Sequence, residues 1–227
     1  MSRKQVEPQF TPAPVPRKGV RKHLTLAEWR KLLAQARGAG LFEHALIRLL
    51  YECGLRAQEP GDLRLDHLKL LGDNRLFVPR AKGSTTGWQD ISPAMGKLLR
   101  QWTQQVYRVS AAEAARRAPA GYVFPGMRRM GPARGVSRKT VWRIVKELML
   151  GAGIPPGLAH PHAIKHSRVQ HLFEEAEAAG LAPEAALQTI ARIVGHRSAM
   201  TSWQHYVAET GKGRAVAQAA LAHAMEE

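Results

Sequence analysis

Apolar positions fall into helical stripes over most of this chain. Leu26, Trp29, Leu32, Leu33 and Ala36 recur at three- and four-residue intervals and so line one face of a helix. Thr25-Leu26-Ala27-Glu28 in front of that stripe fits a capping box, and Gly38 and Gly40 close it. A second helix is predicted from about Phe42 to Cys53, with Leu46, Ile47, Leu49 and Leu50 inside and Gly54 placed to stop it. Further helices are predicted over 94–109, 137–150, 163–179, 183–194 and 214–225.

Within 68–92 the period shortens. Leu76-Phe77-Val78-Pro79 and Trp88-Gln89-Asp90-Ile91 read as strands on either side of Ala81-Lys82-Gly83-Ser84-Thr85-Thr86-Gly87, a turn-rich segment. The fold expected is mostly α with a small antiparallel β-sheet, a long irregular loop being the alternative for this stretch. Residues 1–23 have a different composition: Pro8, Pro12, Pro14 and Pro16 stand among Arg3, Lys4, Arg17, Lys18, Arg21 and Lys22. Such a segment cannot bury a core, so a flexible basic N-terminal arm is expected ahead of one folded domain over 24–227.

Length and composition narrow the class. The 227 residues suffice for one sizeable domain with an appendage, and 44% hydrophobic with 23% charged residues matches an ordinary soluble protein. The single cysteine, Cys53, cannot form an internal disulfide, which excludes a disulfide scaffold. No run approaches the roughly 18 apolar residues of a membrane span, and the N-terminus lacks the apolar core of a secretion signal, so a cytoplasmic protein with no membrane partner is expected. Charge is more informative: 34 Lys plus Arg against 18 Asp plus Glu give a formal net charge of +16. A field of that sign favours a polyanionic partner. Between Ala114 and Lys146 there is no acid, and Arg116, Arg117, Arg128, Arg129, Arg134, Arg138, Lys139, Arg143 and Lys146 make nine cations. Nucleic acid accounts for that run better than a solvated basic face, because like charges repel unless an anion meets them. Arg128, Arg129, Arg138, Lys139 and Arg143 are therefore the candidate DNA-binding residues.

Three constellations carry candidate chemistry. In Gly54-Leu55-Arg56-Ala57-Gln58-Glu59 an arginine follows a glycine break with an acid three residues on; on a new helix Glu59 would orient the Arg56 guanidinium for a phosphate, the alternative being a surface salt bridge. In His160-Pro161-His162-Ala163-Ile164-Lys165-His166, the proline sets a helix start, so His162, Lys165 and His166 share a face near the positive end of the helix dipole. His162 and His166 have the spacing of a zinc pair, but the glutamate of His-Glu-x-x-His is missing and a lysine lies between them, so no metal is expected. Third, Ile193-Val194-Gly195-His196 is followed by His205-Tyr206, and Tyr206 is the one tyrosine beyond it.

In this order the segments resemble the tyrosine recombinase, or phage integrase, family. Its pattern is Gly-Leu-Arg-x-x-Glu, a lysine in a β-hairpin turn, His-x-x-Arg-His, then Gly-His and a tyrosine. Here these read Gly54 to Glu59, Lys82, His162 to His166, Gly195-His196 and Tyr206. The likeness spans about Leu24 to Val207 and is nearest to short members such as the invertases of fimbrial phase variation. The family's second arginine is Lys165 here, which keeps the charge but not the fork. Tyr206 stands ten residues past His196 (206 − 196), one more than the pattern, and His196 thirty past His166 (196 − 166), which an insertion near 174–184 absorbs.

The resemblance implies a recombinase that cleaves and rejoins duplex DNA through a 3′-phosphotyrosyl intermediate without metal, ATP or other cofactor. It implies that Arg56, Lys165 and His196 meet the transition-state charge, with Glu59 and His166 in support. Tyr206 would attack, His162 accept its proton or orient the phosphate, and Lys82 protonate the departing 5′ oxygen. It also implies a homotetramer on DNA linked through the helix over 214–225. A topoisomerase-like enzyme of type IB and a DNA-binding protein without catalysis are the alternatives. Arg168, one turn past Lys165, is the substitute cation should Lys165 not serve.

Overall fold

The computed structural model describes residues 21–70, 73–80, 84–126, 134–181 and 183–195. The expectations for residues 1–20, Lys82, Arg128, Arg129, His196, Tyr206 and the helix over 214–225 lie outside the described residues.

In chain order the elements are α1 (Leu26–Ala39), α2 (Leu41–Glu52), β1 (Leu68–Lys69), β2 (Arg75–Val78), β3 (Gly87–Asp90), α3 (Pro93–Tyr107), α4 (Ala111–Arg117), α5 (Arg138–Gly151), α6 (Pro161–Ala178) and α7 (Pro183–Val194). Helix starts follow local chemistry. Thr25 and Glu28 form the reciprocal capping box of α1, while Ser92 caps α3 and Ser137 caps α5. His160 caps α6, its Nδ1 accepting the Ala163 N–H at 3.2 Å, with Pro161 at the first helical position, where its missing N–H removes nothing.

α2 is the centre, packed on α1, α3 and α6, while α5 closes against α1 and α6. Ala45, Leu46, Ile47, Leu49 and Leu50 are fully buried there with Leu32, Leu99, Val145 and Ile164. Each such leucine or isoleucine contributes roughly 1.5–3 kcal/mol relative to exposure. A second, smaller cluster of Val169, Phe173, Ala176, Ala186, Ile190 and Val194 fastens α7 to α6. Leu24 opens the core: its N–H donates to Ser167 Oγ at 2.8 Å and its carbonyl lies 2.9 Å from His171 Nε2, whose Nδ1 is 2.8 Å from the Tyr51 hydroxyl.

The small antiparallel sheet is present, in the order β1-β2-β3, with Leu68 opposite Leu76 and Phe77 opposite Trp88. Two sequence expectations change. Leu26 is exposed at 45% although it falls on the stripe of α1, because the buried arc is narrowed to Trp29, Leu32 and Ala36. The helix α4 has no counterpart in the apolar pattern: it is two turns long, too short for a stripe to register, and is defined by its Ser110 cap and by Ala111 and Ala114 turned inward. No helix among the described residues is long and apolar enough to cross a membrane.

Candidate functional site

Four segments meet at the C-terminal end of α7. The first is the turn after α2, where Gly54 takes φ +55° and lets the chain reverse; a Cβ there would also lie 2.9 Å from Val194 Cγ1, so glycine is required twice over. Arg56 follows. Glu59 Oε2 accepts the Arg56 backbone N–H at 2.8 Å, and Glu59 Oε1 accepts from Arg56 Nη1 at 3.3 Å. Arg56 Nη1 also donates to Ser84 Oγ in the hairpin. The predicted pairing is present, with one correction: Arg56 is not on a helix but on a turn leading into the 3₁₀ turn Glu59–Asp62. Nor is the pair a surface salt bridge, since the Glu59 side chain is fully buried while that of Arg56 is 30% exposed.

The second segment supplies Arg80, which the sequence pattern does not single out. Its side chain is fully buried. Nη1 donates to Glu59 Oε2 at 3.1 Å and to the Gly54 carbonyl at 3.2 Å; Nη2 donates to the carbonyls of Cys53 at 2.7 Å and Ile193 at 3.2 Å. A single carboxylate is thus shared by two arginines, one buried and one facing outward. The charge of Glu59 opposes the effect of burial, which by itself pulls the Arg80 guanidinium below its ordinary value.

Lys165, on α6, is the third. Only 8% of it is exposed, and Nζ donates to the Val194 carbonyl at 2.9 Å. Burial, then the charges of Arg80 and Arg56, pull its ammonium from 10.5 down to about 7, against the opposing pull of Glu59. The expected common face of His162, Lys165 and His166 is therefore split: Lys165 turns inward to α7, while His162 is exposed with its ring centroid 6.5 Å from that of His166. Partial burial of the ring, followed by the charges of His160, Lys165, Arg56 and Arg138, pushes His162 below its ordinary value and so favours the uncharged imidazole. Arg168 is engaged elsewhere, its guanidinium over the Tyr51 ring at 5.2 Å and 3.9 Å from Glu175.

The last segment is the end of α7 itself. A helix leaves its last carbonyls without intrahelical partners. Here Ile193 accepts from Arg80 and from Gln89 Nε2 at 2.8 Å, Val194 from Lys165, and Gly195 from the Thr85 N–H at 3.2 Å. Cations also suit this negative end of the helix dipole. Gly195 takes φ +69°, and a Cβ there would lie 2.6 Å from Arg80 Nε.

The start of α5 is near enough for the charge of Arg138 to act on His162. Arg138 and Lys139 are both exposed in its first turn, where the dipole opposes cations, an arrangement that an incoming anion would relieve. Other members of the basic run are partly neutralised: Arg143 donates to Glu147 at 2.8 Å, and Arg116 and Arg117 both pair with Glu113, just outside the run. Among the described residues no three His, Cys, Asp or Glu side chains gather as a metal site would need. The arrangement carries a local positive charge with Arg56 at its mouth, and is suited to an anion.

Comparison with known proteins agrees. The model of the phage integrase family matches residues 22–212. Tyrosine recombinase XerD of Pseudomonas putida is 28% identical over 163 residues, 72% of this chain and 48% of that protein. XerD of Xanthomonas axonopodis pv. citri is 28% identical over 207 residues, 87% of this chain and 60% of that protein. The chain thus spans about half to three-fifths of these relatives. Among solved structures, XerA recombinase superposes with a TM-score of 0.63 at 19% identity, covering 88% of this chain and 62% of that one. XerH site-specific recombinase bound to its difH substrate gives 0.61 at 17%, covering 82% and 50%, and a lambda integrase tetramer bound to a Holliday junction gives 0.54 at 16%, covering 85% and 50%. These likenesses show the fold.

Proposed function

Because the chain belongs to the phage integrase family, we propose that it is a site-specific recombinase of duplex DNA acting through a tyrosine. The observation that carries this reading is the cluster at the end of α7: a partly exposed Arg56 fixed by buried Glu59, with buried Lys165 near enough to feel its charge. In the reaction, the Tyr206 oxygen attacks a DNA phosphate and passes its proton to neutral His162 as the O–P bond forms. The bond from phosphorus to the 5′ oxygen breaks, and Lys82 protonates that oxygen. Arg56, Lys165 and His196 meet the charge that develops on the phosphate, prearranged donors being the main source of acceleration in such transfers. The phosphotyrosyl link keeps the bond energy, so a second 5′ hydroxyl reverses the step with no call on metal or ATP.

Four copies assembled on the DNA through residues 214–225 complete the proposal. One observation favours a binding role without cleavage: Lys165 Nζ is held by the Val194 carbonyl. A nicked suicide duplex separates the two readings. The parent should accumulate a covalent protein–DNA adduct, and Tyr206→Phe should form none while binding the duplex within a few-fold of the parent. A parent that binds but forms no adduct would leave the second reading.

A further inference from the structure

Arg80 is a buried cation outside the family pattern, and its cost needs a reason. Taking a guanidinium out of water is expensive, and a well-packed apolar side chain of similar volume commonly serves stability as well or better. What an apolar side chain cannot do is join four acceptors from two separate segments, the turn after α2 and the end of α7. Both Nη nitrogens of Arg80 are fully committed: one to Glu59 and the Gly54 carbonyl, the other to the carbonyls of Cys53 and Ile193. Lysine, with one compact ammonium, could not span that set. Nε has no hydrogen-bond partner among the described residues and is aimed at Gly195, whose missing Cβ leaves the room.

Gln89 acts from the other strand of the same hairpin. Its Nε2 donates to the Ile193 carbonyl at 2.8 Å and approaches that of Arg192 at 3.4 Å, and between the strands the Thr85 N–H reaches Gly195. The hairpin therefore grips the last turn of α7 from both sides. In the sequence, Lys82 follows Arg80 by two residues and His196 follows Gly195 directly.

We infer that Arg80, seconded by Gln89, is a positioning residue that locks the last turn of α7 to the turn carrying Arg56 and Glu59. Through Glu59 it sets the Arg56 guanidinium; through Ile193 it sets the chain entering His196. The role in catalysis rests on the recombinase reading, but the grip itself does not.

Two readouts test it on the full-length protein. At saturating nicked suicide duplex, Arg80→Met should slow adduct formation about a hundredfold, the scale of misplacing catalytic groups by about 1 Å, with the Kd for DNA within about threefold. Arg80→Lys, able to meet Glu59 but not both sets of carbonyls, should fall between that variant and the parent. Gln89→Leu leaves the ion pair intact and should slow the step several-fold with an unchanged melting temperature. If the Arg80 variants do not fold, Gln89→Leu decides. Adduct formation at the parental rate in the folded variants would overturn the inference, as would equal losses of rate and DNA affinity, which mark a merely structural role. The second readout is hydrogen exchange at the Thr85 amide, which should lose at least tenfold protection in Arg80→Lys and in Gln89→Leu. It needs no activity. A parent without adduct would sink the recombinase reading and leave the grip to be judged by exchange, where unchanged protection overturns it.

Discussion

Cations are treated in opposite ways at the end of α7 and across α4 and α5. Around α7, Arg80 and Lys165 are buried, each bonded to named backbone carbonyls, and Glu59 is fixed between Arg56 and Arg80. Across α4 and α5 the cations are exposed, several paired only with a carboxylate three or four residues away on the same helix. Charges of the first kind fix geometry, since each is held by partners that do not move with solvent. On the proposed reading those of the second kind supply field, and their exposed pairs with Glu113 and Glu147 would open for a phosphate.

Removing the shared carboxylate should break that contrast most severely. Glu59→Gln leaves Arg80 buried without its counter-charge, and destabilisation by about 3–5 kcal/mol is expected in chemical denaturation. Next comes Lys165→Ala, which should slow adduct formation about a hundred- to a thousandfold, the equivalent of ~2.7–4 kcal/mol for one transition-state donor. Lys165→Arg should retain reduced but measurable activity, because a site shaped around an ammonium must accommodate a planar fork.

pH should pull the two properties of the first region apart. With its ammonium held at about 7 when folded and 10.5 as the ordinary value, Lys165 binds fewer protons in the native state than in the unfolded chain between those limits. The stability contribution therefore rises with pH across that window. On the proposed mechanism the second-order rate of adduct formation should fall over the same range, since there it is the charged form that meets the phosphate. Melting curves and single-turnover rates, measured between pH about 6 and 9, check both signs. A rate that rises with pH would remove the charged ammonium from the mechanism.

The exposed cations should give smaller, graded effects. Replacing Arg138, Lys139 and Arg143 together by alanine should lower the log–log salt slope of duplex binding by about 0.9 for each phosphate that is no longer neutralised. Arg138 and Lys139 should account for most of it, because Arg143 already has Glu147 as a partner. An unchanged slope would place this run outside the interface. Least of all, Glu147→Ala should alter stability by no more than about 1 kcal/mol, the ceiling for an exposed pair.

The pairing of Arg56 with Glu59 was legible because both partners lie within one turn of chain and spacing alone brings them together. Lys165 was legible as a candidate from its place between two histidines, but its inward direction was not: residues 162, 165 and 166 share an arc, and which of them turns to α7 depends on the docking of Val169 and Phe173 against Ile190 and Val194. Nothing local marks Arg80. It follows Pro79 at the end of a strand, where an arginine is ordinarily solvated, and becomes buried only when α7 lands on the hairpin. The pairing of Arg116 and Arg117 is not visible within the acid-free stretch 114–146, because their partner, Glu113, lies one residue before it.

The bond from Arg80 to Ile193 joins positions 113 residues apart. On a ribosome adding about 5–20 residues per second, Arg80 is made roughly 6–23 seconds before the carbonyl that completes its shell exists. During that interval the first half of the domain can bury α1, α2 and α3, yet the Arg56 turn has no α7 to stand against. On the proposed recombinase reading, the geometry around Arg56 is consequently completed only after α7 has been made, and a nascent or prematurely terminated chain carries the basic surface without it.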